Sequence, residues 1–187
     1  MESAAYRLAA LGEQSAEAVC ALIDSGDPWL QVNAAFIAGE IGGGKSELCT
    51  PVARLLESPH QQVVRQAIDA LAFMQSPDYQ NVLRRLERLV SKRQPSWQGA
   101  QVQRGWTATD QLDMNIAMLL LANCEEWESD DVVGISVKML ESSNDYASSI
   151  VAEAMIRSGS LKAQKHAIRY YQGRAWNTSL LGKDRAY

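Results

Sequence analysis

Val64-Arg65-Gln66-Ala67-Ile68-Asp69-Ala70-Leu71-Ala72 decides the fold of this chain, because the stretch returns. Val32-Asn33-Ala34-Ala35-Phe36-Ile37-Ala38-Gly39 echoes it 32 residues earlier. Met114-Asn115-Ile116-Ala117-Met118-Leu119-Leu120-Leu121-Ala122 echoes it 50 residues later, and Ser148-Ser149-Ile150-Val151-Ala152-Glu153-Ala154-Met155 after 34 more. Small apolar residues at helical spacing make a helix that cannot bury its apolar side alone. Its recurrence predicts helical hairpins stacked side by side over one continuous core.

The punctuation between copies agrees. Glu2 to Leu11 reads as a helix closed by Gly12, where a left-handed C-cap favours glycine. Ser15 to Ser25 follows and stops at Gly26. Asp27-Pro28 then opens the next helix, since aspartate accepts from first-turn amides and proline at the first position loses no bond. Ser46 to Glu57 carries Leu48, Val52, Leu55 and Leu56 on one side, and Ser58-Pro59 and Ser76-Pro77-Asp78 repeat the opening device. Val82, Leu83, Leu86, Leu89 and Val90 mark a further helix. The expectation is an all-α superhelix of about five hairpins over residues 1–172, with 173–187 as a cap or tail.

This order resembles HEAT repeats, in particular the short alanine-rich kind of phycobilisome-lyase-like proteins, whose second helix reads roughly V-R-x-A-A-x-A-L-G. Val64 to Ala72 matches most of that pattern, with Ile68 for an alanine and Ala72 for the glycine; Ala10-Leu11-Gly12 matches its end, and Asn33 stands where the arginine would be. The resemblance implies an α-α solenoid and a binding surface, with almost no functional specificity beyond that.

The totals fit a folded protein, with 47% hydrophobic and 21% charged residues. Cys20, Cys49 and Cys124 form neither a disulfide framework nor a CxxC pair, which predicts reduced thiols. The chain shows no secretory pattern and no apolar run of the ~20 residues that a bilayer needs, so a cytoplasmic, soluble protein is expected. The net charge of −4 is uneven: residues 84–108 sum to +5, residues 157–187 to +6, and the remainder to −15. Such segregation can steer a charged partner.

The repeat is interrupted once, near 91–108. The interruption accounts for the 18-residue excess of the 50-residue spacing over the 32-residue one. It reads as a long loop bearing Trp97 and Trp106, aromatics that either anchor it or meet a partner. Arg84, Arg88 and Lys92 fall at i, i+4 and i+8 on the helix before it, and Arg93 and Arg104 lie within it. Cations beside aromatics suit a phosphate backbone or an acidic protein.

Gly39-Glu40-Ile41-Gly42-Gly43-Gly44-Lys45-Ser46 satisfies G-x-x-x-x-G-K-[ST]. In a phosphate-binding loop Gly39 and Gly44 would turn amides inward, Lys45 would meet phosphate and Ser46 would hold Mg²⁺. That chemistry needs a preceding strand, and the repeat makes this segment helical, so the match reads as a decoy. His60 and His166 have no Cys, Asp or Glu at metal-ligand spacing, and no hydrolase or zinc-protease signature occurs, so no cofactor or metal is expected.

The expected function is non-enzymatic protein recognition by an adaptor, assembly factor or neutralising partner. Gln62, Arg65, Gln66 and Asp69, with Asn33, Asn115, Ser149 and Glu153 as their equivalents, would form an inner-row surface beside the basic, aromatic loop. Nucleic-acid binding through residues 84–106 is the alternative. A bilin-lyase-like or glycosylase-like enzyme rests on architectural resemblance alone, and a nucleotide-binding loop on the glycine match.

Overall fold

A computed structural model describes residues 2–42, 47–74, 79–91, 101–103, 106–122, 124, 127, 130–142 and 144–181. Among the described residues ten α-helices carry the fold. The first six are α1 (Glu2–Ala10), α2 (Ala16–Ile23), α3 (Pro28–Ile41), α4 (Cys49–Arg54), α5 (Gln61–Phe73) and α6 (Tyr79–Ser91). After two short strands come α7 (Ala108–Ala122), α8 (Asp130–Ser142), α9 (Asp145–Arg157) and α10 (Leu161–Leu181). The odd-numbered helices pack on one another in sequence, α1 on α3, α3 on α5, α5 on α7 and α7 on α9. The even-numbered helices form a second row alongside, α2 to α10. The result is an α-α superhelix whose core lies between the rows.

Local signals explain the boundaries. Asp27 accepts from the amides of Trp29 (2.8 Å) and Leu30 (3.3 Å), with Pro28 at the first helical position, so α3 starts as the sequence dictates. Gly12 and Gly26 take φ of +58° and +72°, which a side chain would strain. Asn144 caps α9 through Tyr146 N (3.1 Å) and Ala147 N (2.9 Å). Two expectations fail in detail. The helix expected from Ser46 is shorter, Cys49–Arg54, and runs into a 3-10 turn at Leu55–Glu57. Ser58 does not cap α5: its Oγ accepts from His60 N, within the turn, and His60 occupies the cap position.

Small residues line the contact between α3 and α5, among them Ala34, Ala35, Ala38, Ala67 and Ala70, while α7 adds the bulk of Leu112, Ile116, Leu119 and Leu120 to the same row. Gly39 carries the small-residue contact furthest: a Cβ there would stand 3.1 Å from the Cα of Ala70, so α3 and α5 touch backbone to backbone. The even row fills its side with bulk, including Leu55, Leu83, Leu86, Ile135 and Met139. Burial also fixes the repeat register. The pairs Ala34-Ala35, Ala67-Ile68, Ile116-Ala117 and Val151-Ala152 are all buried at 1% exposure or less and are spaced by 33, 49 and 35 residues. The sequence alignment therefore slips by one in α3 and in α7. Asn33 and Asn115 correspond to Gln66, not to Arg65.

Ion pairs stitch the even row, and each joins an acid to a base further along the chain. Asp24 meets Arg54 (3.0 Å), Glu57 meets Arg85 (2.7 Å) and Arg88 (3.0 Å), and Glu87 meets Lys138 (3.5 Å). Asp130 meets Lys162 (2.5 Å). Between rows, Arg174 of α10 lies over the Tyr170 ring at 4.6 Å and pairs with Asp145 of α9. Burial is the main reason the Tyr170 phenol titrates above its ordinary value. Helix α10 runs unbroken past 172 to Leu181.

The interruption is not a structureless loop. Gln101–Gln103 and Trp106–Thr107 pair as two antiparallel strands, β1 and β2, immediately before α7. With the corrected register the excess spacing is 16 residues, the length of the connection 92–107.

Candidate recognition surface

The side of the odd row turned away from the even row carries the inner-row residues expected from sequence. One helical position lines up as Asn33, Gln66, Asn115 and Ile150; two others as Val32, Arg65, Met114, Ser149 and as Phe36, Asp69, Met118, Glu153. Gln62 and Glu153 are exposed, Asn33, Arg65, Gln66, Asp69 and Ser149 half-buried, and Asn115 buried. The structure thus places all eight on one row of helices. Asp69 and Asn115 hydrogen-bond across helices: the Asn115 amide donates to the Asp69 carboxylate, and Gln111 donates to Asn115 Oδ1 at 2.9 Å. Three of the others bond within their own helices. Asn33 Nδ2 donates to Trp29 O (2.7 Å), Ser149 Oγ to Tyr146 O (2.8 Å), and Arg157 to Glu153.

Asp69 is the electrostatic centre of this surface. Burial pushes its carboxyl above the usual carboxylate range, against the opposing pull of the Asn115 hydrogen bond and the Arg65 charge. Apolar side chains surround this polar strip. Trp29, Phe73, Met118 and Tyr146 are 53%, 74%, 44% and 58% exposed, and Phe36 packs edge-on against Tyr6 at 5.5 Å between ring centres. Sequence reading missed these residues and Gln111. Each stands three or four positions from a residue it named, so helical spacing alone would have found them.

The second expected site fares differently. Arg88 is tied to Glu57, as is its neighbour Arg85, so a cationic ridge at α6 is partly neutralised from within. Arg84 is exposed on the same helix. Lys92, Arg93, Trp97 and Arg104 lie outside the described residues, and Trp106 lies in β2.

The phosphate-loop match loses its first element. Gly39 sits inside α3 against Ala70, where it serves helix packing, while Gly44, Lys45 and Ser46 lie outside the described residues. Among the described residues no group of three or more His, Cys, Asp or Glu could hold a metal ion, and no helix is long and apolar enough to cross a membrane. Cys20, Cys49 and Cys124 are free thiols; burial first, and then the Asp24 carboxylate, push the Cys20 thiol up, away from the reactive thiolate. A cleft of about 450 Å³ opens at the turns before α3 and α5, lined in part by Gln31, Arg54 and His60. Its arginine is already paired with Asp24.

Stacked helical hairpins find their match among known proteins. A family model for HEAT repeats covers residues 4–95. Over that span the chain belongs to the HEAT-repeat family. The match is to HEAT repeats as a class, not to the phycobilisome-lyase-like subset. No curated protein and no solved structure matches the chain. The matched segment holds α1 to α6, and α7 to α10 continue the same two rows beyond it. HEAT repeats generally mediate protein–protein interaction, through the extended surfaces that stacking creates.

Proposed function

We propose that this HEAT-repeat chain is a non-enzymatic protein-recognition module that grips its partner with the odd-row surface. The observation that carries this reading is the contrast between the rows. The cross-helix charges of the even row are spent on one another. The odd row instead presents exposed aromatics around amides, and the side chains of Gln62 and Gln66 make no hydrogen bond among the described residues. Exposed aromatic and apolar anchors among polar groups are the composition of binding hot spots. Adaptor, assembly factor and neutralising partner are all roles such a surface serves, and cytoplasmic residence accords with them.

Site-specific photo-cross-linking in the native host tests the proposal. A cross-linkable residue at Gln62 or Met118 is expected to give a discrete protein adduct, competed by excess unlabelled protein, and one at Thr50 or Glu141 on the even row is not. Adducts from the even-row positions alone, or adducts to nucleic acid, would overturn it.

A further inference from the structure

Asp69 is out of keeping with the rest of the surface. A half-buried carboxylate is costly unless a cation or several donors meet it. The cross-helix acids of the even row are each met by a base. Asp69 has the Asn115 amide, and among the described residues no cation comes within ion-pairing distance; Arg65, one turn earlier, acts on it only through its field. Its surroundings are apolar on three sides. Phe36 and Met118 occupy the same position on the preceding and following helices, and Phe73 stands one turn further along α5 with most of its ring exposed.

From this juxtaposition we infer that the odd-row surface takes a partner segment carrying an arginine among apolar residues, its guanidinium on Asp69 and its methylene stem across Met118 and Phe73. The inference rests on the proposed recognition role of this face and adds the chemistry of the partner. Charge complementarity selects a cation, since the site offers one carboxylate with spare lone pairs and no base of its own in contact. Arginine fits better than lysine: it is less strongly hydrated, its planar fork matches a carboxylate in two places, and its face stacks on an aromatic ring such as Phe73. Polar groups at the rim, Gln66 and Gln111, can accept the remaining guanidinium protons.

The test uses the full chain and displayed random peptides as the probe. Peptides selected on wild-type protein are expected to share an arginine with apolar neighbours. Each is then titrated, with its arginine-to-citrulline version, against wild type and Asp69→Asn. A loss of tenfold or more on Asp69→Asn is expected for the arginine peptides, and an equal affinity of both proteins for the citrulline peptides. Phe73→Ala, at a largely exposed position that the core does not need, is expected to weaken the same peptides about threefold to tenfold. Selected peptides without a basic residue, or arginine peptides indifferent to Asp69→Asn, overturn the inference. If those peptides still lose affinity on Gln62→Ala or Phe73→Ala, the recognition role of the face survives. Peptides that respond to no odd-row substitution overturn both.

Discussion

The two rows of helices are held together by opposite means. In the odd row backbones approach until nothing larger than hydrogen fits at Gly39, and Asp69 and Asn115 form a polar link across helices. The even row buries leucine, isoleucine and methionine, with ion pairs crossing from helix to helix. This contrast is the ground for the proposed placement of a partner on the odd row. Charges that close one row cannot also recognise a ligand, while the odd row has little of its own to satisfy.

The rows should therefore break in opposite directions. Removing atoms damages the even row: Leu86→Ala, at a fully buried site of α6, is expected to cost about 2–5 kcal/mol in urea unfolding. Adding atoms damages the odd row where α3 meets α5. Gly39→Val is expected to cost about 1–3 kcal/mol, because the nearest obstacle is the backbone of Ala70, which cannot rotate away. If Gly39→Val were neutral, the close approach of α3 and α5 would be wrong.

Asp69 sharpens the comparison with a change of sign. Its folded pKa is raised above the unfolded value, so the native state holds its proton more tightly and the ionised carboxylate destabilises the fold at neutral pH. Asp69→Asn should melt higher than wild type at pH 7. That advantage should shrink as pH falls through the folded pKa, and vanish below the ordinary carboxylate range, where both states are protonated. Thermal melts of the two proteins across pH 3–8 check this; a lower melting point for the variant at pH 7 would contradict it. A residue that weakens the free protein while strengthening a complex is expected at a binding site.

The smallest effect belongs to the stitches. Glu57→Gln releases Arg85 and Arg88, of which only Arg85 is well covered, at 18% side-chain exposure. The expected loss is about 1 kcal/mol or less at low salt and close to nothing at about 0.5 M salt. A loss independent of salt would mean that Glu57 acts through packing.

Much of the fold was legible because alanine-rich helices recur and because Asp27-Pro28, Gly12 and Gly26 mark helix ends by local chemistry alone. The register was less so. Ala34 to Ala38 and Ile116 to Leu121 are nearly unbroken apolar runs with no internal landmark, so an alignment slides by one without penalty; only in α5 do Arg65 and Asp69 flag both edges of the exposed stripe. Contacts between distant segments were invisible for a different reason. Asp69 and Asn115 are 46 residues apart, and Glu87 and Lys138 51 apart, so nothing local announces either pair. Trp127, buried at 1% exposure in the acidic connection between α7 and α8, was hidden among the glutamates that flank it. Helical periodicity puts the eight inner-row residues on one row of helices, while the pairing of the α6 arginines was invisible because their partner Glu57 lies a whole hairpin away.

Affinity for the partner captured by cross-linking, measured on two triple variants, tests most directly which row carries recognition. Gln62→Ala/Asp69→Asn/Phe73→Ala removes side chains from the odd row, and Thr50→Ala/Glu57→Gln/Glu141→Gln from the even row. The first is expected to lose binding by about a hundredfold or more, as hot-spot residues do, while the second binds like wild type. Binding that survives the odd-row triple and falls with the even-row triple would contradict recognition by the odd row.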